Sequence, residues 1–259
     1  MMHSDCRRIN APVMVTKSEM TPIHPLLNNA KDFQMSAGDA TPMYFSNTRP
    51  EMLAIVPTDI RTVLEVGCGA GRFGLALRKR QESMGKEIIM TGIEFDSTVA
   101  LEAKGVFHKL LVGDFASLAP QLPSAQWDCV IGNDVLEHLE NPWAALSQCL
   151  RLLAPGGHLV LSVPNVRFFG NVKSLVLNGQ WRYEDSGILD RTHLRFFTRA
   201  SLAEDVRAAG FEILSIQGIN RQVHGWKMSL VNALFRNRFN DLSYLQFAIH
   251  AKRPAIADV

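Results

Sequence analysis

The sequence predicts an α/β fold built on a doubly wound, mostly parallel sheet. Strand-like apolar runs alternate with helical periodicities from about residue 61 onward, and a glycine-rich turn joins the first strand to the first helix. A second turn signal, Ala154-Pro-Gly-Gly157, ends a helix and launches the apolar run Leu159-Val-Leu-Ser-Val163. Strands that alternate with helices form a parallel sheet with both faces covered.

In chain order the pattern predicts strand 61–66, helix 71–82, strand 88–93, helix 97–104, strands 109–113 and 128–132, helix 142–153 and strand 157–163. A further helix at 200–209, a strand at 211–218 and a last strand at 244–251 complete the domain, which is expected to run from 41 to 259. Residues 1–40, with Pro12, Pro22 and Pro25 and weak periodicity, are expected to form a mobile N-terminal arm. Two long connections, near 165–198 and 220–240, are too long for simple turns and are candidates for an acceptor cap. Within the second, Trp226, Leu230, Val231, Leu234 and Phe235 fall at helical spacing beside Lys227, Arg236 and Arg238. That pattern predicts an amphipathic helix over 226–239, packed on the core or lying over an apolar acceptor, a lipid surface or a partner subunit.

With 259 residues, 47% of them hydrophobic, the chain can bury one substantial core. Its 27 Lys+Arg against 25 Asp+Glu give a formal net charge of +2, too small to point to a polyanion, so nucleic acid is not an expected partner. The four cysteines show no CxxC spacing, and Cys68, Cys129 and Cys149 lie in predicted core elements, which fits reduced thiols and a cytoplasmic location. No apolar run approaches the roughly 18 residues of a membrane span.

The chemistry concentrates at the ends of the first strands. Val63-Leu-Glu-Val-Gly-Cys-Gly-Ala-Gly-Arg-Phe-Gly74 places Gly67, Gly69 and Gly71 at alternate positions between a strand and a helix. Glycines there permit positive φ and let a ligand approach the backbone, while the free N–H groups of the helix start face it. Glu94, at the end of the second strand, is placed to accept from ribose hydroxyls. Asp114, at the end of the third, could accept from an adenine amino group with Phe115 against the ring, or could cap a helix. All three positions fall at carboxyl ends of successive strands, where open α/β sheets bind ligands.

A dinucleotide site would read GxGxxG, whereas Glu65-Val-Gly-Cys-Gly-Ala-Gly71 reads ExGxGxG and resembles the first motif of class I S-adenosylmethionine-dependent methyltransferases. Gly92-Ile-Glu-Phe-Asp96, Gly113-Asp-Phe115, the run from Trp127 to Leu139 and Leu153-Ala-Pro-Gly-Gly157 resemble that family's later motifs, over about Tyr44 to Arg253. The resemblance implies a Rossmann-like methyltransferase fold with a seven-stranded sheet, six strands parallel and the last antiparallel. It also implies S-adenosylmethionine as the methyl donor and co-substrate, with Gly67, Gly69 and Gly71 along its methionine part and Glu65 near the amino group. Glu94, with Phe95 beside it, would hold the ribose, Asp114 and Phe115 would meet the adenine, and Asn133 would line the methionine side. Tyr44-Phe-Ser-Asn-Thr-Arg-Pro-Glu51, Ser162-Val-Pro-Asn-Val166 and the run from Leu189 to Thr198 resemble a bacterial subgroup acting on sugars and other small molecules.

A hydroxyl acceptor must lose a proton. In Asp190-Arg-Thr-His193, His193 is a candidate base and Asp190 its orienter, or Asp190 and Thr198 serve as helix caps. His138, four residues after Asp134 and next to Glu137, is the rival base. Asp134, Glu137 and His138 also resemble the ligand set of metal-dependent ubiquinone-precursor methyltransferases, but with Asp in the first position, and no metal is expected. Arg49, Arg191 and Arg195 are candidates to clamp an anionic group of the acceptor. The expected function is therefore methyl transfer to a small molecule, at an oxygen of a sugar or secondary metabolite. The alternatives are a carboxyl methyl ester of a fatty or other organic acid, and a non-catalytic donor-binding regulator.

Overall fold

The computed structural model describes residues 48–222, 232, 236 and 238–255. The expected N-terminal arm over 1–40 lies outside those residues, as does nearly all of the amphipathic helix expected over 226–239.

The strands are β1 (Thr62–Val66), β2 (Ile89–Glu94), β3 (Lys109–Val112), β4 (Trp127–Asn133), β5 (Leu153–Pro164), β6 (Glu212–Arg221) and β7 (Tyr244–Lys252). They form one seven-stranded sheet in the order β3-β2-β1-β4-β5-β7-β6. β7 runs antiparallel to both its neighbours and the other pairings are parallel. The helices are α1 (Pro50–Leu53), α2 (Arg72–Ser83), α3 (Ser97–Glu102), α4 (Phe115–Leu118), α5 (Pro142–Leu152), α6 (Phe169–Asn178) and α7 (Arg199–Ala208). This is the doubly wound α/β fold read from the sequence, with the antiparallel last strand.

Period-two alternation divides the core between the two faces of the sheet. Leu64, Val130, Leu159 and Leu161 join one buried cluster with Leu146 and Leu152 of α5 and Leu202 and Val206 of α7. Their chain neighbours Val63, Ile131 and Val160 join a second, with Phe73 and Leu77 of α2. Polar caps fix the helix starts: the Asp96 carboxylate accepts from the Thr98 and Val99 amides, the Asn141 side chain from Ala144, and Thr198 with Ser201 forms a capping box.

Most predicted boundaries hold to within two residues, and three features differ. β5 begins at Leu153, because the Ala154-Pro-Gly-Gly157 turn stays alongside β4, with the register shifting between Trp127 and Cys129. β6 runs on to Arg221 because β7 supplies partners along its whole length. The first insertion contains α6, whose apolar residues Leu175, Val176 and Leu177 are consecutive and so leave no i, i+4 stripe to read.

The chain winds outward from β1 through β2 to β3, then returns to place β4 on the other side of β1. The loops after β1 and β4 therefore diverge and leave a crevice at the carboxyl edge, where such sheets bind ligands. One wall is held by Arg49, which precedes α1. Its guanidinium donates to Asp134 Oδ2 at 2.5 Å, Ser162 Oγ at 3.2 Å and Glu51 Oε1 at 3.1 Å. Asp134 also accepts from Ser162 Oγ at 2.7 Å and Gln246 Nε2 at 2.5 Å. Both partners are largely buried, and burial opposes the charge on Arg49 while Asp134 favours it. Because removing one member of such a pair strands the other charge, Arg49→Met should lower the unfolding free energy by about 3 kcal/mol, read from the urea midpoint. An unchanged midpoint would show that the pair does not hold this wall.

Candidate active site

The glycine-rich turn after β1 is folded by its own backbone. The Cys68 amide donates to the Ile93 carbonyl at 3.0 Å and the Gly71 amide to that of Cys68 at 2.9 Å. Gly67, Gly69 and Gly71 have φ of 65°, 52° and 77°, the left-handed region that side chains disfavour. A Cβ on Gly67 would stand 2.6 Å from Val135 Cγ2, so the turn also lies hard against the loop after β4. Glu94 closes the turn from β2: one carboxylate oxygen accepts from the Gly69 amide at 2.7 Å and the other from the Asp96 amide at 3.0 Å.

Glu65 is 2% exposed, and its Oε2 has no hydrogen-bond partner among the described residues. Gly74 of α2 makes room for it, since a Cβ there would lie 2.8 Å from that oxygen. Burial, and then the charge of Glu94, push the Glu65 carboxyl up to about 8. Asn133, at the end of β4, likewise has a buried Oδ1 without a partner among the described residues. Two buried acceptors without donors, one at the end of each strand that bounds the crevice, fit the amino group of the methionine part of the donor.

Farther along the edge, Asp114 caps α4: its Oδ2 accepts from the amide and hydroxyl of Ser117, each at 3.1 Å. Its other oxygen is the one that would address an adenine amino group. Phe115 departs from expectation. Its ring is buried in the core with Leu118 and Leu136 close by in the same cluster, because it forms the inner side of the first turn of α4, so it is not presented to a ligand. The exposed aromatic at this edge is Phe95.

On the acceptor side the two rival bases meet. The His138 and His193 rings stand edge to face with centroids 4.8 Å apart. His193 is buried and its Nδ1 lies 3.0 Å from the Ile188 carbonyl. A carbonyl can only accept, so Nδ1 carries the proton and Nε2 offers its lone pair. Burial, and then His193, hold His138 below the ordinary imidazole range. Glu137 is fully buried with neither carboxyl oxygen partnered among the described residues, and burial with nearby Asp134 pushes it well above the ordinary carboxylate range. Ligand-type atoms of Glu137, His138 and His193 lie within 4.8 Å of one another. This is the one grouping among the described residues that could hold a metal ion, and it differs from the Asp134-first set read from the sequence.

Asp190 does not orient His193. Its Oδ1 accepts from the amide and hydroxyl of Thr192, at 2.8 and 2.7 Å, forming the turn before the histidine, and the orienting acceptor is the Ile188 carbonyl. The helix cap at this point is Thr198. Nor do the three arginines converge. Arg49 is committed to Asp134 and Arg195 donates to the Leu194 and Glu140 carbonyls, while exposed Arg191 pairs with Asp185 at 2.9 Å. Arg191, Tyr183, His193 and Leu194 line an open concavity of about 370 Å³. Trp181 and Tyr183 pack on Phe196, with centroids 5.3 and 6.2 Å away. These aromatics were missed, although the Trp181-Arg-Tyr183 triplet inside a long insertion carries the signal. The insertion is fastened by the Glu137 carbonyl, which accepts from the Leu194 and Arg195 amides at 2.7 and 3.0 Å.

The glycine turn beneath a carboxylate from β2, together with the sheet order, defines the donor-binding edge of a Rossmann-like methyltransferase. The chain belongs to the methyltransferase-domain family, whose model matches residues 36–216, and within it to the class I S-adenosylmethionine-dependent methyltransferases. A probable S-adenosylmethionine-dependent methyltransferase of Mycolicibacterium smegmatis is 30% identical over 161 residues, 61% of this chain and 55% of that one. The chain thus spans about half the length of that relative. A ubiquinone biosynthesis O-methyltransferase of Burkholderia thailandensis is 30% identical over 184 residues, 66% of this chain and 73% of that one. Among solved structures, an S-adenosylmethionine-dependent methyltransferase from Archaeoglobus fulgidus superposes with a TM-score of 0.57 at 21% identity, covering 81% of this chain and 96% of that one.

Gly69→Val forces a β-branched residue to positive φ and should weaken donor affinity at least about tenfold by calorimetry; unchanged affinity would remove the turn from the donor site. Below about pH 8 the Glu65 carboxyl is neutral in the free protein, and a bound ammonium favours its charged form. Donor binding near neutral pH should therefore release a proton, seen by calorimetry in buffers of different ionisation enthalpy, and Glu65→Gln should abolish the release.

Proposed function

We propose that the chain transfers a methyl group from S-adenosylmethionine to an oxygen of a small-molecule acceptor. The observation that carries this reading is the His193 imidazole, with Nδ1 committed to the Ile188 carbonyl and Nε2 left as a proton acceptor beside an open concavity. In the proposed step the acceptor oxygen attacks the sulfonium methyl carbon, the carbon–sulfur bond breaks, and the hydroxyl proton passes to His193 Nε2. The leaving thioether is neutral, so what remains for the protein is to position the oxygen, exclude water and take the proton. His138, kept neutral by burial, can receive that proton in turn.

Trp181 and Tyr183 offer aromatic surface to a ring, which suits a sugar or a phenolic metabolite. The printed activity of the Burkholderia relative, an O-methyltransferase, is compatible with the oxygen reading. The carboxyl-ester alternative has less support, because a carboxylate needs no base and two of the three arginines that would clamp it are bonded internally. The regulator alternative is opposed by a polished base that mere donor binding would not require.

His193→Ala should lower kcat about a hundredfold or more while sparing donor affinity, with His138→Ala having the smaller effect. The reverse order would make His138 the base. Turnover should survive exhaustive chelation, and activity lost on chelation but restored by a divalent cation would make Glu137, His138 and His193 a metal centre. The acceptor itself can be found by feeding methyl-labelled methionine to cells with and without the protein and seeking labelled products that depend on it by mass spectrometry.

A further inference from the structure

α6 projects from the first insertion with no buried residue along its ten positions. Near its end, Leu175, Val176 and Leu177 are 47%, 72% and 70% exposed. Successive helix positions are about 100° apart, so three in a row fan their side chains over roughly 200° of the helix circumference. A groove on a folded partner takes one stripe of a helix, at i, i+3, i+4 and i+7. A fan that wide is covered only by a medium that surrounds the helix end on several sides, as lipid does.

The charges around this apolar end are of one sign. From Phe168 to Tyr183 the only charged residues are Lys173 and Arg182, and no carboxylate occurs. Both are exposed, and neither forms an ion pair among the described residues. Lys173 lies three and four positions before Val176 and Leu177, on the same face one turn back. After the helix ends at Gly179, in left-handed conformation with φ 62°, the chain continues at once into exposed Trp181 and Tyr183. Apolar side chains at the tip, with Trp and Tyr beside them and cations at the flanks, are the arrangement of a segment lying at a membrane interface. Tyr183 also lines the concavity next to His193, so the same segment leads from that surface to the site.

We infer that the tip of α6, Leu175 to Leu177 flanked by Lys173, Trp181 and Arg182, docks the protein peripherally on an anionic lipid surface. No helix among the described residues is long and apolar enough to cross a membrane, so the attachment is interfacial. This differs from the lipid contact expected of helix 226–239, and it stands apart from the identity of the acceptor.

The test is flotation of the full chain with vesicles of phosphatidylcholine, with and without phosphatidylglycerol. The wild type should float with the anionic vesicles and lose binding as salt is raised. Val176→Asp with Leu177→Asp should reduce partitioning about tenfold or more, and Lys173→Gln with Arg182→Gln roughly fivefold for each charge removed. Donor affinity by calorimetry should be unchanged in both, which shows that the variants are folded. The inference is overturned if wild type does not float, if the aspartate variant floats equally well, or if sedimentation shows that the aspartates instead split a dimer.

Discussion

Chain direction reverses at β1. The strands leading to β3 go one way and β4 returns on the other side, so two neighbouring parallel strands send their loops apart and leave strand ends with no continuing ladder. Buried polar groups in such a gap must find partners in side chains, neighbouring loops or a ligand. Glu94 reaches across to the Gly69 amide, Asp134 gathers Arg49, Ser162 and Gln246, and the Glu137 carbonyl takes two amides of the insertion. Glu65 Oε2 and Asn133 Oδ1 are left over. The difference between satisfied and unsatisfied groups marks where the protein closes on itself and where it awaits something else.

The same edge shows how environment sorts chemically similar side chains. Asp134 and Glu137 are three residues apart and both buried, yet one has a guanidinium at 2.5 Å and the other has no partner for its carboxyl oxygens among the described residues. Burial without compensation favours the neutral acid, and a cation beside a carboxylate favours the charge. His138 and His193 divide in a similar manner, since only His193 has its tautomer set by a carbonyl. A base needs that kind of asymmetry, because two equivalent imidazoles would share a proton without directing it.

Much of this was legible in the sequence, for identifiable reasons. Strand and helix periods are local, and Glu65, the three glycines and Glu94 form a motif whose spacing reflects one turn and one strand crossing. What escaped was non-local. Asp190 precedes a histidine by three residues and looks like its partner, but the turn it builds with Thr192 leaves the ring to Ile188. Phe115 follows the Asp that caps α4, and the geometry of that cap turns its ring inward. Arg49 gives no hint in its own surroundings that it will meet a carboxylate 85 positions later. α6 hides because its apolar residues are consecutive rather than periodic.

Gly67 and Val135 come from different loops and nearly touch. A side chain at 67 would need both a smaller residue at 135 and relief from a left-handed φ of 65°. The two positions are therefore epistatic, and a substitution at 67 is opposed by packing before any ligand is considered. In a descendant that abandoned its chemistry, this glycine would persist as a structural relic while Glu65 was free to drift. Decay in this lineage would be read from the buried carboxyl, whose isolation is costly unless a ligand compensates it.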